Sequence, residues 1–494
     1  MFQRTRRVLL ALAFTTGLLA PPMTAQQIPA DQDAFLADIQ ERTFDWFWDW
    51  TNPDNGLVPD RAPTPSFSSV AAVGFGLTAW PIGIERGYIS RKQGVDRVLN
   101  TLRFFADAPQ GDVPVGMTGY RGFYYHFLDM ENGKRYLQVE LSTIDTALLM
   151  MGVLFCQSYF DGPGEQEAEI RELAEMLYRR VEWDWAEIRP NLMCMGWLPE
   201  IGFLDSDYEG YDEAMFLYLL ALGSPTHPIS SDAWDAFVWS YRWDPFQQQE
   251  HIAFAPMFGH QYAQSWIDLR GVQDAFMAEK GIDYFENSRR AAYAQRAYAI
   301  RNPLGWEDYG ENIWGLTACD GPIDMRREYK GRMREFFTYR ARGAGADYIT
   351  DDGTIAPTAA AASLPFAPEI VIPALQEMRR RYGDDLYNQH GFVDAFNPSY
   401  TYTDIDVPNG EVVPGKGWFG KDHLGIDQGP ILLMIENFRS GFVWDVMKRN
   451  PHIVRGLERA GFSGGWLEDV AGQGAVVDDQ AGTEAANEAT ASMP

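Results

Sequence analysis

Two kinds of helix alternate along this chain, and that alternation limits the fold more than any other feature. One kind is amphipathic with a charged face: residues 31–50, 91–107, 166–182, 232–243, 284–300 and 368–382. The other is apolar or small nearly all round: residues 69–84, 143–159, 211–222, 258–269, 356–364 and 428–439. A helix without a polar face must be enclosed on every side, whereas one with a polar stripe covers a core and meets water. Taken in order, the segments make six outer-then-inner pairs. They predict an all-α fold, an (α/α)6 barrel or toroid of six inner and six outer helices, with residues 443–460 closing the outer ring. No repeat of fixed period accompanies the pattern, so the sixfold reading rests on the alternation itself. A two-domain helical protein is the alternative, but no Pro/Ser-rich linker divides the chain.

The ends read differently from the middle. Arg4, Arg6 and Arg7 precede an apolar run from Val8 to Ala20, and Met23-Thr24-Ala25 offers a small-residue cleavage site. The run is too short to span a bilayer. Residues 1–25 are therefore expected to be an export signal, by the general or the twin-arginine route, and the protein to be periplasmic or secreted without a membrane span. Residues 26–465 are expected to form one catalytic domain. Residues 466–494 are expected to be an acidic tail, because Gly474 to Pro494 has almost no large apolar side chain to offset the entropy of ordering.

Charge excludes several partners. With 69 acidic and 41 basic residues the formal net charge is −28, which repels phosphate backbones, anionic glycans and anionic lipid. A neutral oligo- or polysaccharide bound by a monomer is the expected partner. Cys156, Cys194 and Cys319 are too few for a disulfide framework, although a Cys194–Cys319 bridge is one option. No HExxH or CxxC occurs, so no metal or cofactor is expected. Gly74-Phe-Gly76 lies in a helical run rather than after a strand, which rejects a dinucleotide fingerprint. Asp351-Asp352-Gly353 lacks EF-hand spacing and reads as a turn.

Four connections, residues 109–142, 183–210, 302–354 and 383–427, are far longer than a compact domain needs. They lead into inner helices, so they should gather at one mouth, over the inner-helix N-termini. Acidic residues mark those entrances: Glu140 and Asp145, Asp212 and Glu213, and Asp427. Helix capping accounts for any one of them. Their convergence on one mouth suits glycoside hydrolysis, which needs one protonated and one ionised carboxyl. Asp427 before Gln428-Gly-Pro should have its anion favoured by free N–H groups, which suits a base. Glu213, beside Asp212 and partly buried, should have a raised pKa, which suits an acid.

Aromatic faces stack on pyranose rings. The long loops offer Tyr120, Phe123, Tyr124, Trp197, Trp306, Tyr309, Trp314 and Trp418 as platforms, although most of the chain's aromatics belong to the core. Tyr211, Arg121, His260, Gln261, Asp268, Arg270, Asp320 and His423 are polar candidates at the same mouth. Asp268 with Arg270 reads equally as a structural ion pair, and Asp320-Gly321 as a turn.

Five ordered motifs carry a resemblance. They are the segments at residues 211–228 (YDEAMFLYLLALGSPTHP), 260–271 (HQYAQSWIDLRG), 314–322 (WGLTACDGP), 351–363 (DDGTIAPTAAAAS) and 425–430 (GIDQGP). Together they resemble the bacterial glycoamylase-like domain at the core of glycoside hydrolase family 144, the β-1,2-glucanases, from about Phe44 to Phe462. The resemblance implies an (α/α)6 barrel and inverting endo-hydrolysis of β-1,2-glucan to short sophoro-oligosaccharides. Glu213 falls at the acid position, Asp427 at the base position, and Glu140 and Asp145 where substrate-contacting acids stand. His260-Gln-Tyr-Ala-Gln departs from the family's Gln-Tyr-Ser-His form. Exo action, transglycosylation and a non-catalytic glucan-binding role are the alternatives. A uronate lyase fits poorly with so acidic a chain.

Overall fold

Ser69 and Ser142 each accept a hydrogen bond from the backbone N–H three residues on, and so start the two most enclosed helices of the molecule. A computed structural model of the chain describes residues 28–470. The expected export signal and the tail from Gly474 lie outside the described residues. Within them helices dominate and the strands are short. The apolar segments become helices Val70–Arg86, Thr143–Tyr159, Met215–Gly223, Phe258–Trp266, Pro357–Ala361 and Gly425–Arg439. Val70–Arg86 packs between Thr143–Tyr159 and Gly425–Arg439. Thr143–Tyr159 also meets Met215–Gly223, which meets Phe258–Trp266, and Pro357–Ala361 lies on Gly425–Arg439. Gln261 ties Phe258–Trp266 to Pro357–Ala361, its Nε2 donating to the Ala359 carbonyl and to Ser363 Oγ at 2.8 Å each.

The Val70–Arg86 and Thr143–Tyr159 helices approach so closely that only glycine fits between them. A Cβ on Gly74 would lie 2.1 Å from the Leu148 carbonyl oxygen, and one on Gly152 would lie 2.2 Å from that of Gly74. These atoms are backbone and cannot swing aside. Gly152→Ala is therefore expected to cost about 1–3 kcal/mol, the usual toll of overpacking a filled interior. Equilibrium urea unfolding checks this; an unchanged midpoint would mean the helices can part freely. Gly74 thus serves helix packing.

The amphipathic segments cover this core. Ala30–Trp50 lies on Gly425–Arg439, Arg91–Asp107 on Val70–Arg86, Glu165–Arg180 on Thr143–Tyr159, Tyr284–Arg301 on Phe258–Trp266 and Pro368–Tyr382 on Pro357–Ala361. Three boundaries differ from expectation. The fourth amphipathic segment is helical only over Ala233–Val238, then turns into a hairpin of Trp243–Phe246 with Gln249–Ile252. Residues 443–460 split into Phe442–Met447 and Pro451–Arg459, because Asn450 caps a new helix that has Pro451 at its first position. Phe442–Met447 packs under three of the buried helices, and Trp444 Nε1 donates to the Gln264 carbonyl at 2.7 Å. This segment floors the C-terminal end of the bundle. Residues 466–470, expected in the tail, are helical: Trp466 donates to the Asp268 carbonyl at 2.7 Å and Leu467 is buried.

The long connections are knitted together by short antiparallel ladders. Gly119–Tyr120, Phe123–Tyr125, Leu141–Ser142, Gly196–Leu198 and Gly202–Phe203 form one sheet from the first two of them. Arg61–Ala62 pairs with His423–Leu424, and Ser68–Ser69 with Phe127–Leu128. Several ladders end where a buried helix begins, so the ladder fixes each helix entrance relative to the next. All three cysteines are buried and free, which removes the Cys194–Cys319 bridge.

Candidate active site

Asp145 and Asp427 both occupy the third position of a buried helix, and Glu213 sits in the turn just before Met215–Gly223. Glu213 was expected inside a first helical turn; the helix starts two residues later because Asp212 folds back to accept the Ala214 N–H at 2.7 Å. Tyr262, on Phe258–Trp266, feels the charges of Asp427, Glu213 and Asp145 together, and burial with these carboxylates lifts its phenol well above the usual range. Tyr208 likewise faces Glu213, Asp212, Asp145 and Glu140. The acids therefore lie near one another around the N-terminal ends of the buried helices.

Burial and the Asp145 carboxylate push Glu213 up to about 7. That leaves it protonated at mildly acidic pH, as a general acid requires. Asp427 departs from expectation. Burial, then Asp394, Asp320 and Asp60, drive its carboxyl well above the carboxylate range. The helix N-terminus favours the anion by less than a unit of charge can cost when withdrawn from water among other acids. Around it, Arg61 binds Asp320 at 2.6 Å and Asp60 at 3.1 Å. The Asp320 N–H donates to Asp394 Oδ2 at 2.7 Å.

His126 supplies a second cation. Its Nδ1 lies 2.7 Å from Glu140 Oε1 and its Nε2 3.6 Å from Asp145 Oδ2. Burial opposes its charge, but Asp145 and Glu140 outweigh that and raise its pKa to about 9. A histidine raised in this way stabilises the fold fully below its unfolded value near 6.5, and that gain is lost as pH climbs through about 9. His126→Gln is therefore expected to cost on the order of 1 kcal/mol at pH 6 and little at pH 10. Paired unfolding curves measure it; an equal cost at both pH values would show that the imidazolium is not what matters.

Residues 205–451 match a family model described as glycoamylase, putative glucoamylase. The chain belongs to the glycoamylase family. The matched half of this family member carries Glu213, Tyr262, Asp320, Asp394 and Asp427. The chain is 26% identical over 471 residues to an exo β-1,2-glucooligosaccharide sophorohydrolase (non-reducing end) of Parabacteroides distasonis, covering 88% of this chain and spanning 59% of that protein's length. Among solved structures it resembles a putative glucoamylase of Bacteroides uniformis, with TM-score 0.76 and 29% identity over 90% of this chain and 100% of that one. It also resembles an endo-β-1,2-glucanase of Chitinophaga pinensis solved with sophorotriose and glucose, with TM-score 0.74 and 27% identity over 87% and 98%.

The structure brings Glu213, Asp427, Glu140 and Asp145 near one another, with Asp320 beside Asp427, and it moves the other candidates elsewhere. Tyr120 pairs with Phe123, and Tyr125 and Trp197 both pair with Leu141, so these side chains share one face of the sheet. Ser142, and Glu140 just before its strand, point to the other face. Tyr120 and Trp197 instead pack with Trp185, and Arg121 binds Glu182. Phe123 and Tyr124 are fully buried. So are Trp306, Trp314 and Trp418, at 2% exposure or less, and no sugar ring can reach their faces. Trp418 donates to the Asn409 carbonyl at 2.7 Å, and Tyr309 donates to Asp351 at 2.7 Å. Tyr211, His260 and Gln261 are buried, with Tyr211 packed on His260 and Tyr284. Burial depresses the His260 pKa to about 3. His423 is buried on the strand beside Ala62. Asp268 binds Arg270 and Lys448, a structural network.

Sequence reasoning missed Tyr262, His126, Arg61, Asp60 and Asp394. Tyr262 lies inside the motif at 260–271 and was legible there; Arg61 and Asp394 carry no local signal. A cavity of about 720 Å³ lies instead at the C-terminal ends of the buried helices, lined by Arg86, Tyr159, Glu436 and Phe442 among others. Its Glu436 is bound by Arg86 through both oxygens, at 2.7 and 2.8 Å.

Proposed function

We propose that this chain hydrolyses β-1,2-glucan with inversion, Glu213 giving a proton to the leaving oxygen and Asp427 taking one from the attacking water. The observation that supports this reading is Tyr262, which stands within electrostatic reach of both carboxyls. Inversion needs room for a water between acid and base, and it needs carboxyls in different protonation states. Relatives sharing about a quarter of the sequence are named for cleavage of β-1,2-glucans, which selects the linkage.

The reading includes an (α/α)6 toroid. In support, Val70–Arg86 contacts Thr143–Tyr159, which contacts Met215–Gly223, which contacts Phe258–Trp266, and Gly425–Arg439 contacts both Phe258–Trp266 and Val70–Arg86. Endo cleavage is the first mode. Exo release of sophorose is the second, favoured by the name of the Parabacteroides relative. Export, a periplasmic or secreted location and a monomeric state complete the proposal. Among the described residues no helix is long and apolar enough to cross a membrane.

A panel of β-1,2-, β-1,3-, β-1,4- and α-1,4-glucans tests the substrate, with polarimetry for the anomer released and chromatography for product length. Turnover of β-1,2-glucan with an inverted first product is the expected result. Turnover of another linkage alone, or an unsaturated uronate product, would overturn it.

A further inference from the structure

Two buried carboxyl groups cannot meet unless a proton lies between them. Asp394 and Asp427 are 2% and 4% exposed, and their side chains are in hydrogen-bond contact. Asp394 Oδ2 is taken by the Asp320 N–H, whereas Asp394 Oδ1 is buried with no protein donor. A buried carboxylate oxygen without a partner is costly. A proton carried by Asp427 satisfies that oxygen.

We propose that Asp394 is a positioning residue that shares one proton with Asp427 and receives it when Asp427 acts as base. Water attacks the anomeric carbon and loses a proton to the outer oxygen of Asp427. In the same step the proton already on Asp427 passes to Asp394 Oδ1. The bond broken is the water O–H; the bond formed at the far end is Asp394 Oδ1–H. The pair begins with one proton and one negative charge and ends with two protons and none. It resets by releasing one proton to solvent after the product leaves.

The surroundings suit these roles. Asp394 has a backbone N–H and the nearby Arg61 guanidinium to steady its anion. Asp427 faces Asp394, Asp320 and Asp60, while Tyr262 and Tyr339 both feel its charge. Asp422 lies near Asp60 and Asp320, and Cys319 near Asp394 and Asp427. Arg61 is the cation among these groups, and it is occupied by Asp60 and Asp320. Nothing on this side would hold both Asp394 and Asp427 ionised together.

The proposal rests on Asp427 as the base, so the test separates the two. Asp394→Asn keeps the shape and donates an N–H to Asp427, which then ionises alone. The acidic limb of kcat/KM on β-1,2-glucan is expected to move at least about one pH unit lower, and kcat to fall roughly 10- to 100-fold, with KM little changed. An unmoved limb and an unchanged kcat overturn the proposal. Infrared titration without substrate reads the shared proton directly. In a Glu213→Gln background, adding Asp394→Asn or Asp427→Asn should each remove one protonated-carboxyl stretch near neutral pH. Retention of that stretch in both overturns the pairing, whatever the glucan assays show. If Asp394→Asn does not fold, the Asp427→Asn comparison decides alone. Loss of the stretch with no β-1,2-glucan turnover in the wild type would keep the pair and discard the glucanase reading.

Discussion

Glu213→Gln is expected to lower kcat on β-1,2-glucan by roughly 10³-fold, with KM within a few fold of wild type. The amide keeps the volume and the backbone contact but has no proton to give. The loss should shrink on a sophoroside carrying an acidic phenol, because a leaving group that departs as an anion needs no protonation. That contrast separates a general acid from a residue that only binds. Loss of the same size on both substrates would remove Glu213 from the acid role. The pH profile follows from the same carboxyl: activity should fall as pH rises through about 7, where Glu213 loses its proton. Stability moves with it. Between the ordinary value near 4.5 and about 7 the native state binds the proton more tightly than the unfolded chain, so stability declines as pH rises through that window. The glutamine variant escapes the decline and should gain about 1–2 kcal/mol at pH 8, allowing for its partial contact with water.

That gain shows why the site was only partly legible. Enclosure by apolar sequence is a local property, and so the buried helices at 70–86 and 143–159 could be read from side chains alone. The acids at helix entrances were readable for the same reason, since a helix start advertises itself by its caps. Which way those acids ionise was not. Asp427 looks like a stabilised anion when only its own helix is considered. Its carboxyl is raised by burial and then by Asp394, Asp320 and Asp60, which arrive from three other segments. The aromatics failed in the opposite sense. Trp306 and Trp418 sit in long polar loops and looked free to stack on sugar, yet those loops fold into ladders with their own small core, which takes both rings. Composition reports that a loop contains an indole; only the register reports which face it points to. Trp197 shows this most plainly, since a shift of one residue would have placed it beside Glu140.

The largest stability effect is expected at Arg342, which has nothing to do with substrate. Its guanidinium is fully buried and donates to Asp352 through Nε at 2.7 Å and Nη2 at 2.8 Å, and to the Cys319 carbonyl at 2.7 Å. Asp352 is equally buried, and despite that burial the guanidinium holds its carboxyl below the usual range. Arg342→Met leaves a carboxylate without its counter-ion in the interior and should cost about 3–5 kcal/mol. Arg342→Met with Asp352→Leu removes both charges and should recover part of that loss, because neither is then stranded. Urea unfolding of the two single variants and the double one checks the cycle; single variants within about 1 kcal/mol of wild type would show that water reaches the pair. Because Asp352 is depressed, its contribution is present above its unfolded value near 3.8 and disappears as pH falls below it, so the gap between wild type and Arg342→Met should close in acid. The anchor also reaches the chemistry. Arg342 clamps the carbonyl of Cys319, and the next N–H, that of Asp320, is the donor that fixes Asp394. Where Arg342→Met is still folded, a released Asp320 should therefore disturb the acidic limb of the pH profile as well as the melting point, since the two effects pass through one peptide unit.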